Sequence, residues 1–278
     1  MRKVKSSSRV KHLIVVSDLH CGSLSALCPP GFQLQGGGRY TLNREQVLLW
    51  SLWNEAWDVW VPHVTGGEPY AVVLNGDAVD GFPHGSVAEV SPSLVDQENM
   101  AVACLAPIVA RAEKFFLVRG TEAHSQKSAQ SEERIATALR TPKSNGQHSQ
   151  YDLWLDLQGH MIHLSHHIGV SDSPASEVTA LTKEIVKVGQ IAARFGYAMP
   201  QLLIRSHRHS FAHAVLPVKD GAVGCVTTPA WQLQTPFVFK KNPLAVAQIG
   251  LVCVSAENDD LRVHHRLWPV QFREVINL

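Results

Sequence analysis

Cysteine is scarce and scattered. The five residues, Cys21, Cys28, Cys104, Cys225 and Cys253, contain no CxxC pair, which argues against a disulfide framework or a zinc knuckle and fits a reducing cytoplasm. Charge of one sign is lacking too. A formal net charge of +1 over 278 residues leaves no broad basic field for gripping nucleic acid and confines any such contact to a cleft. No apolar run is long enough to span a bilayer. The run LIVV, which Lys and Arg at positions 2, 3, 5, 9 and 11 precede, is too short for a signal-peptide core and leads into Asp18, so residues 1–10 read as a basic, disordered tail. An HExxH helix, a GxSxG elbow and a GxxxxGK loop are all missing, which removes the usual signatures of zinc proteases, serine esterases and nucleoside triphosphatases. There is no internal repeat and no low-complexity block.

What is present is a chain with 45% hydrophobic residues, enough to bury a sizeable core, and we expect one domain over residues 11–278. LIVV before SDLH, YAVVLNGD (70–77) and FFLVRG (115–120) read as strands buried on both faces. Between them lie helical stretches at 43–60, with Asn43 as N-cap, and at roughly 93–113, where Pro107 is expected to kink or divide the helix. Strand alternating with helix implies right-handed crossovers and a largely parallel sheet. Further on, 151–157 and 161–167 read as a hairpin turning at Gly159, 173–196 as a helix stopped by Gly196, and QLLIRSHRH (201–209) as a strand. FAHAVLPV, AVGCVTT, VAQIGLVCVS and DLRVHHRLW follow as strands. Two packed β-sheets flanked by helices, an α/β fold, are expected, with the active site in loops at the carboxyl ends of the strands.

Histidine is the unusual residue, with 15 in the chain, many of them at the ends of apolar runs. In SDLH, Asp18 and His20 stand two apart at a strand end, where alternation can turn both to one side. NGDAVD adds Asp77 after an apolar strand, with Asp80 nearby as an orienting group. SHRH supplies His207 and His209, and HLSHHIG supplies His166 and His167. His163 reads as a packing residue inside its strand and His160 as part of the turn. Each piece alone has an ordinary explanation as a turn, cap or packed imidazole. Several strand ends finishing in carboxylates or imidazoles are explained together by a metal cluster.

In this order the blocks SDLH, GDAVD, GTEAH, SHH and SHRH resemble the calcineurin-like metallophosphoesterase superfamily, over about Ser17 to Ser210. The resemblance implies a four-layer α/β/β/α sandwich, with Asp18, His20 and His209 on a first metal and Asp77 bridging to a second. It also implies His207 and one of His166 and His167 on that second metal, with His166 favoured because it comes first after the strand. Two departures from the family pattern stand out. Ser206 replaces the glycine before the final His-x-His, and GTEAH replaces Gly-Asn-His, so the asparagine ligand is missing. Thr121 and Glu122 are the available substitutes, and Glu122 is preferred because a carboxylate is a better ligand than a neutral hydroxyl for a hard or borderline divalent ion. The variant resembles phosphoesterase-like proteins of phages and prophages.

The function implied is hydrolysis of phosphomono- or phosphodiesters by a metal-activated hydroxide at a dinuclear site, with nucleotides and nucleic-acid ends among the candidate substrates. His124 is the expected general acid and Asp80 its companion in the catalytic set. Two divalent ions drawn from manganese, iron, zinc and nickel suit the mixed ligands, and manganese is favoured. Arg119, Arg205 and Arg208 are available to phosphate or to solvent. No membrane partner is expected, and a homodimer is left open. The rival function is a metal-containing binding protein of the same fold with little or no catalysis. Trp50, Trp53, Trp57 and Trp60, at helical spacing, read as one buried face, and Trp231 as a packed loop residue or a stacking platform.

Overall fold

The computed structural model describes residues 9–82, 87–125, 130–169, 176–219, 221–241, 246–258, 260–268 and 270. Most of the expected basic tail lies outside the described residues, but Val10, which the sequence reading assigned to it, is buried against the core.

The apolar run before SDLH is strand β1 (His12–Val16). Asn43 caps helix α1 (Arg44–Glu55) in a capping box, accepting from the Gln46 N–H while the Gln46 side chain accepts from the Asn43 N–H. The helix does not stop at residue 60. It passes through a π-helical turn (Ala56–Trp60) into α2 (Val61–Thr65) and ends on Gly66 in the left-handed conformation. β2 (Tyr70–Asn75) precedes α3 (Leu94–Val109), which Ser93 caps; Pro107 sits in its last turn and does not divide it. β3 (Lys114–Val118), the single turn α4 (Glu122–Ser125), α5 (Gln130–Ala138) and the short β4 (Ser149–Gln150) complete the first half.

β5 (Asp152–Leu157) and β6 (His160–Ser165) form the expected hairpin. Gln158 and Gly159 both have positive φ, 56° and 90°, the primed two-residue turn that matches strand twist. His160 therefore opens β6 and does not belong to the turn. α6 (Glu177–Phe195) ends on left-handed Gly196, while its expected start at 173–175 lies outside the described residues. β7 (Leu202–Arg205), β8 (Ala212–Val218), β9 (Gly221–Thr227), the short α7 (Pro236–Lys241), β10 (Ile249–Glu257) and β11 (Asp260–Trp268) follow. β7 stops at Arg205, so SHRH is a loop and not the end of a strand.

Two mixed sheets result, ordered β11-β10-β1-β2-β3-β4 and β5-β6-β7-β9-β8. β1, β2, β3 and β4 run parallel, as do β6, β7 and β9, and antiparallel strands close the remaining positions. Period-two alternation explains the layers. In β1, Leu13 and Val15 point into an inter-sheet core with Ile162, Leu164, Leu202, Ile204 and Val226. Ile14 and Val16 point the other way, into a core shared with Leu49 and Trp53 of α1 and Met100 and Leu105 of α3. A third core lies between the second sheet and Leu181 and Ile185 of α6. The layers are helix, sheet, sheet, helix, and the parallel strands of both sheets deliver their C-terminal loops to one edge. Among the described residues no helix is long and apolar enough to cross a membrane.

Trp53 and Trp57 are buried, with Trp50 and Trp60 packed against the same core. Trp231 is fully buried, its ring edge-on to Trp53 at 4.6 Å between centroids, so it is a core residue and not a stacking platform. Trp231→Ala is expected to cost about 3–5 kcal/mol of stability through the cavity it leaves, read as a lowered urea midpoint with an unchanged slope.

Candidate metal centre

Asp18 and His20 follow β1, Asp77 follows β2, His166 follows β6, and His207 and His209 follow β7. Strand alternation is not what brings them together. Asp18, His20, Asp77, His207 and His209 all have left-handed backbones, with φ of 53°, 45°, 51°, 70° and 54°. Nine described non-glycine residues have positive φ, and five of them are these. Such conformations cost of order 1–3 kcal/mol each and persist only where the surroundings over-determine them. Here they are held by main-chain bonds between loops: Asp18 N–H to Gly76 O (3.0 Å), His20 N–H to Asp77 O (3.1 Å), Asp80 N–H to Cys21 O (3.1 Å) and Trp231 N–H to Asp18 O (3.0 Å).

Two glycines make the approach possible. A Cβ on Gly76 would lie 2.3 Å from His166 Nδ1, and one on Gly120 would lie 2.0 Å from Asp77 Oδ1. The two sheets are pinned beneath the site by a hydroxyl and amide chain. Asn75 Nδ2 donates to Ser206 Oγ (2.6 Å) and to Ser165 O (3.2 Å), while Thr228 Oγ1 meets Ser206 Oγ and Ser17 Oγ, each at 2.7 Å. Ser206, where the resemblance leads one to expect glycine, is thus fully buried and bonded.

Three groups of side chains place ligand atoms within 4.8 Å of one another: Asp18, His20 and His209; His20, Asp77 and His124; and Asp77, His166 and His207. Asp77 and His20 each belong to two of them. His166 Nε2 is 3.1 Å from Asp77 Oδ2 and 3.9 Å from Asp18 Oδ1, and His209 Nε2 is 3.2 Å from Asp18 Oδ1. His166 donates from Nδ1 to Asn75 O (2.7 Å), which turns Nε2 into the cluster. It is buried, whereas His167 is exposed. Asp18 Oδ1 and His166 Nε2 are buried and make no well-formed hydrogen bond, the condition expected of groups shaped for a cation. These crowded carboxylates and imidazoles are a donor set that could hold metal.

Asp80 orients two imidazoles. Its Oδ1 lies 2.9 Å from His20 Nδ1 and its main-chain oxygen accepts from His124 Nδ1 at 2.6 Å, leaving His124 Nε2 for the cluster. Gln232 Nε2 steadies Asp80 Oδ1 at 3.1 Å. Glu122, expected in the asparagine's place, is not brought there. It is exposed in the first turn of α4 and joins none of the three groups. The reason is local: Thr121 faces Asp77, donating from N to Asp77 Oδ1 at 2.7 Å with its hydroxyl 3.2 Å from both carboxylate oxygens, and the next residue turns outward. The arginines are committed elsewhere. Arg119 bonds Ser149 and Gln147, Arg205 bonds Glu184, and Arg208 bonds the Gly169 carbonyl. Sequence reading named Thr121 only as the second choice and missed Asn75, although a buried asparagine ending a strand directly before Gly-Asp is a signal for it.

The electrostatics are those of carboxylates and imidazoles compensating one another. Burial pushes the Asp18 carboxyl up, but His209 and His166 outweigh it and hold it down at about 2. Burial likewise opposes ionisation of Asp77, and His166 reverses it to a depressed value. Burial pulls His166 down, yet Asp77 and Asp18 raise it to about 10, while burial and the neighbouring His166 lower His207 to about 4. Burial and His20 lower His124.

The signs give a testable profile for metal-free protein. His166 contributes stability fully below its unfolded value of 6.5 and loses it as pH rises through about 10. His207, neutral in the fold, contributes stability above 6.5 that is lost as pH falls through about 4. Asp18 adds a further loss between 3.8 and about 2. In chelator the melting temperature should therefore peak near pH 6.5. Added Mn²⁺ or Zn²⁺, which needs deprotonated imidazoles, should raise it more at pH 8 than at pH 6. A metal effect independent of pH would exclude these histidines as ligands.

No protein-family model matches the chain, and no curated protein matches it. Among solved structures it is similar to Vps29 of Entamoeba histolytica complexed with Zn²⁺, at 10% identity over 92% of this chain and 98% of that one, with a TM-score of 0.37. It is also similar to a metallophosphoesterase from Sphaerobacter thermophilus, at 11% identity over 94% and 89%, with a TM-score of 0.38. A third is the sulfate thiohydrolase SoxB from Thermus thermophilus in complex with glycerol, at 11% identity over 95% and 57%, with a TM-score of 0.45.

Proposed function

We propose that the chain is a metal-dependent phosphoesterase acting on phosphomono- or phosphodiesters, nucleotides and nucleic-acid ends included. The observation that carries this reading is the sharing of Asp77 between two ligand groups, with a third on Asp18 beside them. That arrangement is what two neighbouring divalent cations need. In this reading Asp18, His20 and His209 hold one ion, His166 and His207 hold the other, and Asp77 serves both. When bound, the pair supplies Lewis-acid polarisation of a phosphoryl group and a nucleophile from water at neutral pH.

The chain's own residues do the rest. Asp80 fixes the ring of His20 and the main-chain acceptor for His124. With Nδ1 committed to Asp80 O, Nε2 is the atom of His124 that can hold or deliver a proton to a leaving oxygen. Arg119 and Arg205 are buried and tied into the fold, which leaves the more exposed Arg208, bonded to the Gly169 carbonyl, as the arginine that could meet a phosphate. Manganese is the first choice of metal, and phosphomonoesters and phosphodiesters are both candidate substrates.

Asp77→Asn is expected to lose bound metal and phosphodiesterase activity together, measured by elemental analysis and turnover of bis(p-nitrophenyl) phosphate with Mn²⁺, while Glu122→Ala keeps both. Full activity and metal content in Asp77→Asn would sink the shared-carboxylate reading. Metal binding without turnover on any ester would leave a binding protein. His124→Ala should keep its metal and lose about 10²-fold or more in kcat on an alkyl or nucleoside ester, the scale of general-acid catalysis. It should lose far less on p-nitrophenyl phosphate, whose phenolate leaves without a proton. Equal losses on both would remove His124 from that role.

A further inference from the structure

The loops after β1, β2 and β3 meet around one side chain that belongs to none of them. Gln97, on α3, is fully buried. Its Oε1 accepts from Gly81 N–H at 2.8 Å, and its Nε2 donates to Gly81 O and to Ser91 O, both at 3.3 Å. The amide thus engages both polar groups of one glycine, as a neighbouring strand would. Gly81 directly follows Asp80, so the clasp fixes the segment that carries the His124 acceptor and the His20 partner.

The packing on either side is equally tight. A Cβ on Gly22, two residues after His20, would fall 2.4 Å from Gln97 Cγ, so the Gln97 stem fills the space against the Asp18–His20 loop. On the far side, a Cβ on Gly81 would fall 2.5 Å from the main-chain oxygen of His124. One side chain therefore abuts the first loop and clasps the second, and the second abuts the third. Both glycines have positive φ, 112° and 65°, so neither loop can relax by taking a larger residue.

We propose that Gln97 is a positioning residue of the metal centre, setting the rings of His20 and His124 through Asp80 and Gly81. A glutamine that merely satisfied its own burial would affect stability alone. A positioning residue moves the two imidazoles and, with them, proton delivery. The kinetic part rests on the phosphoesterase reading above, and the structural part does not.

The test uses Gln97→Met, which keeps the length and removes the amide, and Gln97→Glu, which keeps the acceptor for Gly81 N–H and loses both donors. Circular dichroism and melting establish folding. Long-range ¹H–¹⁵N spectra of ¹⁵N-histidine-labelled, metal-free protein, with His124→Ala and His20→Ala for assignment, read the rings directly. Folded Gln97→Met is expected to lose or shift the His124 Nδ1–H signal and to shift His20, with Gln97→Glu intermediate. With Mn²⁺, kcat on an alkyl phosphodiester should fall by about tenfold or more at nearly constant KM, since an ångström of misplacement can cost about a hundredfold. The p-nitrophenyl ester should suffer less. Unchanged His20 and His124 signals in a folded variant overturn the proposal whatever the activity. Wild-type protein without metal-dependent turnover would overturn the phosphoesterase reading, and the ring signals would still decide the role of Gln97.

Discussion

Two carboxylates, Asp18 and Asp77, are buried side by side with essentially no exposure, and the rest of the site is arranged around that fact. Taking a carboxylate out of water costs several kcal/mol unless it is closely compensated, and each of these two raises the difficulty of ionising the other. Without an ion, the compensation comes from His166 and His209, whose rings stand 3.1–3.2 Å from them. The same crowding places imidazole nitrogens where a cation's ligands would be. A cluster that needs charges to be stable, and whose residues sit in strained left-handed backbones, is stabilised further by whatever binds it. A cation bound there would therefore stabilise the fold, and more so at a pH where the imidazoles are deprotonated.

The architecture makes the crowding possible. Parallel strands in both sheets end at one edge, so loops distant in sequence arrive together. The seam through Ser17, Thr228, Ser206 and Asn75 then locks the edge of one sheet to that of the other directly below the ligands. Ser206 shows how a residue that breaks an expected motif can be structural. Its hydroxyl adds a link between the sheets that a glycine lacks.

The fold was largely legible, because alternating apolar runs closed by polar residues specify strands buried on both faces, and Asn43 and Gly196 mark helix ends by well-understood capping. The ordered Asp and His blocks were legible as a set for the same reason: strand ends are visible in hydropathy. What sequence could not show is how the side chains converge. Asp18 and His20, and likewise His207 and His209, were expected to share a side by strand alternation, yet they lie past the strand ends and meet through left-handed turns, a conformation that aspartate and histidine adopt more readily than most residues but that no local pattern fixes at a given position. Glu122 was preferred over Thr121 on ligand chemistry alone. Backbone direction decided otherwise, because the main-chain N–H of Thr121 is itself a donor to Asp77 and fixes which of the two residues faces inward. Gln97 and Gln232 were invisible, since a buried glutamine on a helix or in a loop carries no local signature.

The commitment of the arginines has a consequence for selectivity. In a site whose phosphate is gripped by guanidinium groups, recognition is bidentate and geometric. Here Arg119 is held by Ser149 and Gln147, and Arg205 by Glu184, so neither is free to reach a ligand without breaking a buried network. Of the imidazoles, His20, His166 and His209 already face carboxylates. On the phosphoesterase proposal, Arg208, the most exposed of the three arginines, and the main-chain geometry of the loops are what this chain would offer to orient a phosphate ester. On the same proposal, the loop geometry enforced by Gly22, Gly81 and the Gln97 amide between them would set where a leaving oxygen meets His124.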